Sequence, residues 1–391
     1  MTKDPPVTAL SSSANAPHWL VELTLAVRAV DPHVATRTQA LLDGKTKPPG
    51  SLGRLERLAC RLGTITRTPC PPRRTKAIVV MGADHGVADE GVSAYPPEVT
   101  AQMLANFAQG GAAINVLARQ ANARVVVVDM GARVPVKSPA VLDRRIAAGT
   151  RSASHGPAMQ VTEALQAIQV GAALVETLCH EGIDLVGLGE MGIGNTTSAA
   201  ALTAALLGLP PAQVTGRGTG IDDAMWARKV NVIESALQTN REALVDPLHT
   251  LAALGGFEIA GLVGVCLGAA AAGVPVVLDG FITTAAALVA VRLCPWAEGY
   301  LLASHLSVER GHRALLEALR LEPLFDLELR LGEGTGAALA FPFIDAALAI
   351  LHDMATFESA GVSGPAQDIT EPDTAPLGAP GGSAKVPPTS S

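Results

Sequence analysis

Five short apolar runs, most of them β-branched, limit what this chain can become more than any other feature: 77–81 (AIVVM), 124–129 (RVVVVD), 183–188 (IDLVGL), 274–279 (VPVVLD) and 300–304 (YLLAS). Uninterrupted apolar runs of this length suit strands covered on both faces, and the helical patterns between them suit parallel crossovers. The expected fold class is α/β, a parallel sheet flanked by helices in a Rossmann-like arrangement with a smaller helical subdomain. In such a sheet ligands bind beyond the carboxyl ends of the strands. Four of the runs end in residues able to do chemistry: Asp84-His85, Gly189-Glu190, Asp279 and Ser304-His305.

Helical patterns at 19–30 and 52–62, joined through TKPPGSLG, predict a helical subdomain over 21–75 after a flexible start at 1–20. The α/β catalytic domain is expected over 76–357. A tail at 358–391, rich in Pro, Gly, Ser, Ala and Thr, is expected to be disordered. Hydrophobic residues make up 48% of the chain but aromatics only 3%, so the core must be built from Ala, Val, Leu and Ile with helices in close approach. A net charge of -7 argues against a general nucleic-acid surface, which needs clustered Lys and Arg. Cysteines at 60, 70, 179, 266 and 294 are odd in number and scattered, so neither a disulfide framework nor a zinc site is expected. They fit a reducing cytoplasm, as does a start, MTKDPPVTAL, unlike an export signal. The uncharged run 259–278 is long enough to cross a bilayer, but Gly273-Val274-Pro275 divides it into a helix-like and a strand-like half. A buried helix-to-strand connection is expected there, and no membrane contact.

Two glycine-rich stretches each carry one carboxylate: GLGEMGIGNTT at 187–197 and LGEGTG at 331–336. Glycines let backbone amides close on a ligand, and a poorly hydrated glutamate among them is a candidate proton acceptor. The first stretch formally matches G-x-G-x-x-G, but a dinucleotide site wants an acid about twenty positions on, and 199–220 contains none. A loop at the amino end of a helix over 196–207, holding a single phosphate on free amides and the helix dipole, is the better reading. GRGTGIDD at 216–223 reads as a turn whose acids sit at a helix start. Lys229 lies one to two helical turns beyond and is placed to reach a ligand phosphate or carboxylate. His305 and His312 are seven apart, with no H-E-x-x-H, and read as hydrogen-bonded structural groups. Gly82 and Gly86 around His85 predict close approach of a ligand or of another chain segment.

A series of motifs in one order resembles the nicotinate-nucleotide:dimethylbenzimidazole phosphoribosyltransferase family: TKPPGSLGRLE (46–56), GADHGVADEGVSAYP (82–96), TAQMLANFAQGGAAINVLAR (100–119), GEMGIGNTT, GRGTGID, LDGFITTAAAL (278–288) and LRLGEGTGAALA (329–340). The chain departs from the family pattern at Leu306, Val308 and Arg310 within SHLSVERGH. The resemblance implies transfer of ribose 5-phosphate from nicotinate mononucleotide to 5,6-dimethylbenzimidazole, with inversion at the anomeric carbon and no cofactor or metal. By resemblance Glu333 matches the catalytic base. Gly192, Ile193, Gly194 and Asn195, helped by Lys229 and Arg330, are assigned to the phosphate, and Asp279 or Glu190 to the ribose. Glu190 is alternatively a second, assisting base. Ser307 and Gly332 are placed in the substrate site, and Ser93, Tyr95 and Gln102, with Met103, around the benzimidazole. The family is homodimeric, so a dimer is expected. Two other classes stay open on the residues alone: a nicotinamide-dependent oxidoreductase, disfavoured by the missing acid, and a nucleotide sensor without turnover.

Overall fold

Where Ile, Val and Met follow one another without alternation, both faces of a strand must be covered, and that condition is met at the centre of this molecule. The computed structural model describes residues 17–218 and 220–364. β1 (Lys76–Ala83) is buried along its whole length, and β2 (Ala123–Gly131) over its last six residues. β3 (Val141–Asp143), β4 (Leu185–Met191), β5 (Val276–Leu278) and β6 (Leu301–Ala303) complete the sheet. Every pairing is parallel, and the strand order is β3-β2-β1-β4-β5-β6. This is the doubly wound order, whose direction reverses between β1 and β4 and leaves a crevice at their carboxyl ends.

Three details differ from the sequence reading. β3 has no apolar run; it is an edge strand of three residues that pairs through Val127↔Val141. β5 begins at Val276 because Pro275 has no amide to give the ladder. The helix expected over 19–30 ends early, as His18–Ala26, and a further helix, Pro32–Asp43, follows it. Asp31 accepts from the His33 amide and Pro32 opens the second helix, a strong start signal.

The third N-terminal helix, Arg54–Thr66, is anchored by a buried ion pair, Lys47 to Glu56 at 2.8 Å, and Glu56 also accepts from the Leu52 amide. Leu20, Leu42, Leu62 and Ile65 from these helices join one apolar core with the sheet residues. The shortage of aromatics is met by close helix contact between Val161–His180 and Phe257–Ala272. A methyl added at Gly171 would run into the Gly261 carbonyl, and one at Gly264 into the Ile168 carbonyl.

The uncharged run 259–278 does split as expected, into the end of helix Phe257–Ala272, Gly273 in the left-handed region (φ 74°) and β5. Helix Thr335–Asp353 is also long and apolar enough to cross a bilayer, but its Ala337, Phe341, Ile344 and Leu348 are buried in the core. Most of the segments expected to be flexible, 1–16 and 365–391, lie outside the described residues. Residues 358–360, assigned to the disordered tail, instead belong to a short helix, Phe357–Ala360, capped by Thr356.

Candidate active site

The carboxyl ends of β4, β5 and β6 converge on one cavity of about 440 Å³, and the end of β1 backs its wall at Gly192. Its walls come from the loop after β4 (Glu190 to Thr196), the turn after β5 (Gly280 to Ile282), the segment after β6 (His305, Ser307, Glu309) and Arg330 to Glu333. Val92, Val99, Met103, Met191 and Phe281 make part of the surface apolar, the mixed lining of a small-molecule site.

Glu333 stands between Gly332 and Gly334, and all three have positive φ (83°, 65° and 91°). Glycine takes that conformation freely; a glutamate does so only where its surroundings hold it. The holder is Asp279, whose carboxylate accepts from the Gly334 amide at 3.1 Å and the Gly336 amide at 2.6 Å. On the other side the loop rests on β4, where Gly189 has no side chain because one would collide with the Glu333 carbonyl. Gly187, two residues earlier, leaves room for Ile78, Ala337 and Phe341. The G-L-G of the nominal dinucleotide motif therefore serves helix-to-strand packing, not a pyrophosphate. Glu333 itself is buried, and its Oε2 has no hydrogen-bond partner. Burial pushes its carboxyl above the usual range, and the Ile114 amide pulls against that shift.

Glu190, at the end of β4, is also buried, but its Oε2 accepts from the Asn195 amide group. Burial and the neighbouring Asp279 push it up to about 8, so it holds its proton at neutral pH. Asp279 is pushed up to about 7 by burial, against the amides of Gly336, Gly334 and Ala337.

Gly192, Ile193, Gly194 and Asn195 form the expected turn at the amino end of a helix, Asn195–Leu207, with Gly194 in the left-handed region at its cap. The Ile193 amide is taken by Thr100, while the Gly194 amide has no acceptor among the described residues. Beneath the turn His85 bridges Ser198 (3.0 Å) and Glu258 (2.6 Å) and supports Gly192 from below. Lys229 lies behind the wall and donates to Thr196 at 2.7 Å. Burial lowers its ammonium to about 8, while Glu309 opposes the shift. Glu309 in turn accepts from the Gly218 amide at 2.9 Å, and the Gly218 carbonyl accepts from Arg330 at 3.3 Å.

A family model described as phosphoribosyltransferase matches residues 27–362. The nicotinate-nucleotide–dimethylbenzimidazole phosphoribosyltransferase of Roseiflexus sp. (strain RS-1) is 53% identical over 346 residues, covering 88% of this chain and 98% of the relative. That of Geobacter metallireducens is 52% identical over 344 residues, covering 88% and 98%. The chain belongs to the nicotinate-nucleotide–dimethylbenzimidazole phosphoribosyltransferase family. The crystal structure of CobT from Thermus thermophilus matches with a TM-score of 0.81 at 47% identity, covering 85% of this chain and 99% of that one. The protein is thus a phosphoribosyltransferase.

Within this phosphoribosyltransferase the cavity wall brings together Glu333, Glu190, Gly192, Ile193, Gly194, Asn195, Ser307, Arg330, Gly332, Ser93 and Tyr95. Three residues assigned from the sequence are placed elsewhere. Asp279 lies behind the wall with its carboxylate committed to the Glu333 loop, so it positions that loop instead of meeting the cavity. Lys229 reaches the cavity only through Thr196. Gln102 lines a separate shallow depression with Pro135 and Val136, because the helix Val99–Gln109 turns Met103 inward instead. Ser307 is in the wall, with its hydroxyl donated to the Leu329 carbonyl at 3.1 Å. Sequence reasoning passed over Glu309 and Phe281. Strand-end position had marked His305, and both histidines are hydrogen-bonded as expected: His305 Nδ1 meets Ser304 Oγ at 3.1 Å, while His312 Nδ1 accepts from the Ser307 amide and its Nε2 meets Thr284 at 3.0 Å; His305 also stands in the cavity wall.

Proposed function

We propose that this phosphoribosyltransferase moves the ribose 5-phosphate of nicotinate mononucleotide onto 5,6-dimethylbenzimidazole, giving α-ribazole 5′-phosphate and nicotinate for the lower ligand of cobalamin. Its relatives carry that activity in their names. One observation supports the chemistry: Glu333, unpaired at Oε2 and fixed by its turn, shares a cavity with the glycine turn at a helix amino end. The phosphate is held by the turn and Arg330, with Lys229 behind Thr196. Nicotinate leaves from a pyridinium that is already positively charged, so its departure needs no protonation. As the imine nitrogen of the entering base bonds to the anomeric carbon, its other N–H becomes acidic, and Glu333 takes that proton. Attack opposite the leaving group inverts the linkage, and alignment of the two reactants supplies much of the rate. The enzyme acts in the cytoplasm as a homodimer, near twice the 39.9 kDa chain mass in sedimentation.

The test is nicotinate release from the mononucleotide in the presence of dimethylbenzimidazole. Glu333→Ala lowers kcat by about 10²–10⁴-fold with nucleotide binding kept; a change confined to the KM for nucleotide assigns Glu333 to binding instead. The pH profile is a bell. Its acid limb rises as Glu333 loses its proton at a pH above the usual carboxylate range. Its alkaline limb falls near 8, where Glu190 ionises and adds a second negative charge beside the base.

A further inference from the structure

His305 stands at the end of β6 in the cavity wall, in contact with the Glu333 side of the site through Gly336 and with the turn after β5 through Gly280. Its ring plane is fixed by stacking on Phe325, at 5.9 Å between centroids and 17° between planes. Its backbone is fixed by a parallel bridge to the same residue. The ring therefore has one orientation, and its proton has one place.

That place follows from Ser304. The Ser304 hydroxyl donates to the Asp279 carbonyl at 3.0 Å, and a carbonyl can only accept. With its single proton committed, Ser304 Oγ can meet His305 Nδ1 at 3.1 Å only as an acceptor. Nδ1 consequently carries the hydrogen, and the Asp279 carboxylate 4.0 Å away favours the same tautomer. The hydrogen-bond network thus assigns Nε2 as a bare acceptor. Nε2 has no partner among the described residues, and it is not among the sealed, unsatisfied buried atoms. Next to it is Gly280, whose missing side chain would stand 3.7 Å from Nε2. His312, 6.0 Å away, has the opposite arrangement: its Nδ1 accepts and its Nε2 is satisfied by Thr284. Of these two rings, only His305 presents a free lone pair to the cavity.

Resting on the reading under Proposed function, we infer that His305 Nε2 accepts a hydrogen bond from a ribose hydroxyl of the bound nucleotide, making His305 a specificity-determining residue for ribose over deoxyribose. The ribose lies between the base facing Glu333 and the phosphate at the glycine turn, and His305 borders that middle ground beside Gly280 and Ser307. Acceptors are otherwise scarce there. The Ser307 hydroxyl donates to the Leu329 carbonyl and already accepts from the Glu309 amide at 3.3 Å, and Glu190 Oε2 is taken by Asn195. Burial lowers the His305 ring to about 4, so it stays a neutral acceptor across the working range even with Asp326 pulling the other way.

The experiment measures dissociation constants by calorimetry for nicotinate mononucleotide and its 2′-deoxy and 3′-deoxy analogues, on the wild type, His305→Phe and His305→Gln. The wild type binds one of the two analogues about tenfold more weakly than the parent, which identifies the hydroxyl. His305→Phe, which keeps the ring stack, binds the parent about tenfold more weakly and no longer distinguishes the three. His305→Gln, with an amide acceptor, restores part of the discrimination. Equal binding of all three nucleotides by the wild type overturns the inference whatever the variants do, as does a His305→Phe loss that is the same for every nucleotide. Failure of the wild type to release nicotinate in the turnover assay overturns the reading of function, and this inference with it. Normal release without discrimination overturns this inference alone.

Discussion

Glu190 and Glu333 are both buried carboxyls in glycine-rich stretches, and Glu190 lies against the Glu333 loop at Gly332, yet their surroundings differ. Glu190 closes β4 with one oxygen occupied by Asn195, and burial beside Asp279 keeps it protonated. Glu333 sits in a run of three positive-φ residues, with one oxygen unpaired. Glycine flanks alone therefore do not make a base. A free oxygen on a rigid backbone is what the proposed base adds. The largest contrast follows directly: near pH 7 Glu333→Gln costs about 10²–10⁴-fold in kcat, while Glu190→Gln, which mimics the form already present, costs less than about tenfold. Equal losses in steady-state nicotinate release would erase the distinction between the two.

The rigidity of the Glu333 turn can be broken without touching the glutamate. Asp279 meets the Gly334 and Gly336 amides but not the cavity, so Asp279→Ala frees the turn. A misplacement of about 1 Å at a reacting group costs roughly 10²-fold. The expected result is a fall of that order in kcat with the nucleotide KM nearly unchanged. A rise in that KM alone would return Asp279 to the ribose role suggested by its strand-end position. Gly189→Ala attacks the same turn from β4, where the added methyl meets the Glu333 carbonyl. Overpacking of this kind costs about 1–3 kcal/mol, read as a lower urea midpoint together with reduced kcat.

Much of this arrangement is legible in the sequence. The five apolar runs became five of the six strands, and the ends of β4, β5 and β6 meet at the site. β3 is not legible, because a three-residue edge strand exists through its partner and has no pattern of its own. Glu333, Glu190 and the 192–195 turn are marked by glycines, which is a backbone property and so is written locally. The second layer is not. Whether Asp279 faces ribose or the amides behind it, whether Gln102 or Met103 points inward, and which nitrogen of His305 is bare all depend on contacts between residues distant in the chain. Lys229 illustrates the limit well: its position on the helix Asp223–Thr239 is readable, but its insertion behind Thr196 is not.

The smallest effect probes Glu190 through stability. Its folded-state pKa stands near 8, against an ordinary 4.5, because burial disfavours the charge. A carboxyl raised on folding binds its proton more tightly in the native state, so its contribution is fully present below about 4.5 and is lost as pH rises through 8. Glu190→Gln removes that dependence while keeping size and hydrogen-bonding capacity. Melting temperatures of the wild type and variant should therefore coincide near pH 4.5 and separate progressively toward pH 8, with the variant higher. The gap amounts to about 1 °C for each kcal/mol of relief in a chain of this size. Glu333→Gln should diverge in the same direction, since burial raises its carboxyl while the Ile114 amide opposes the shift. Parallel melting curves for wild type and Glu190→Gln across that window would place a charge on Glu190 throughout, and the alkaline limb of the activity profile would then need another owner.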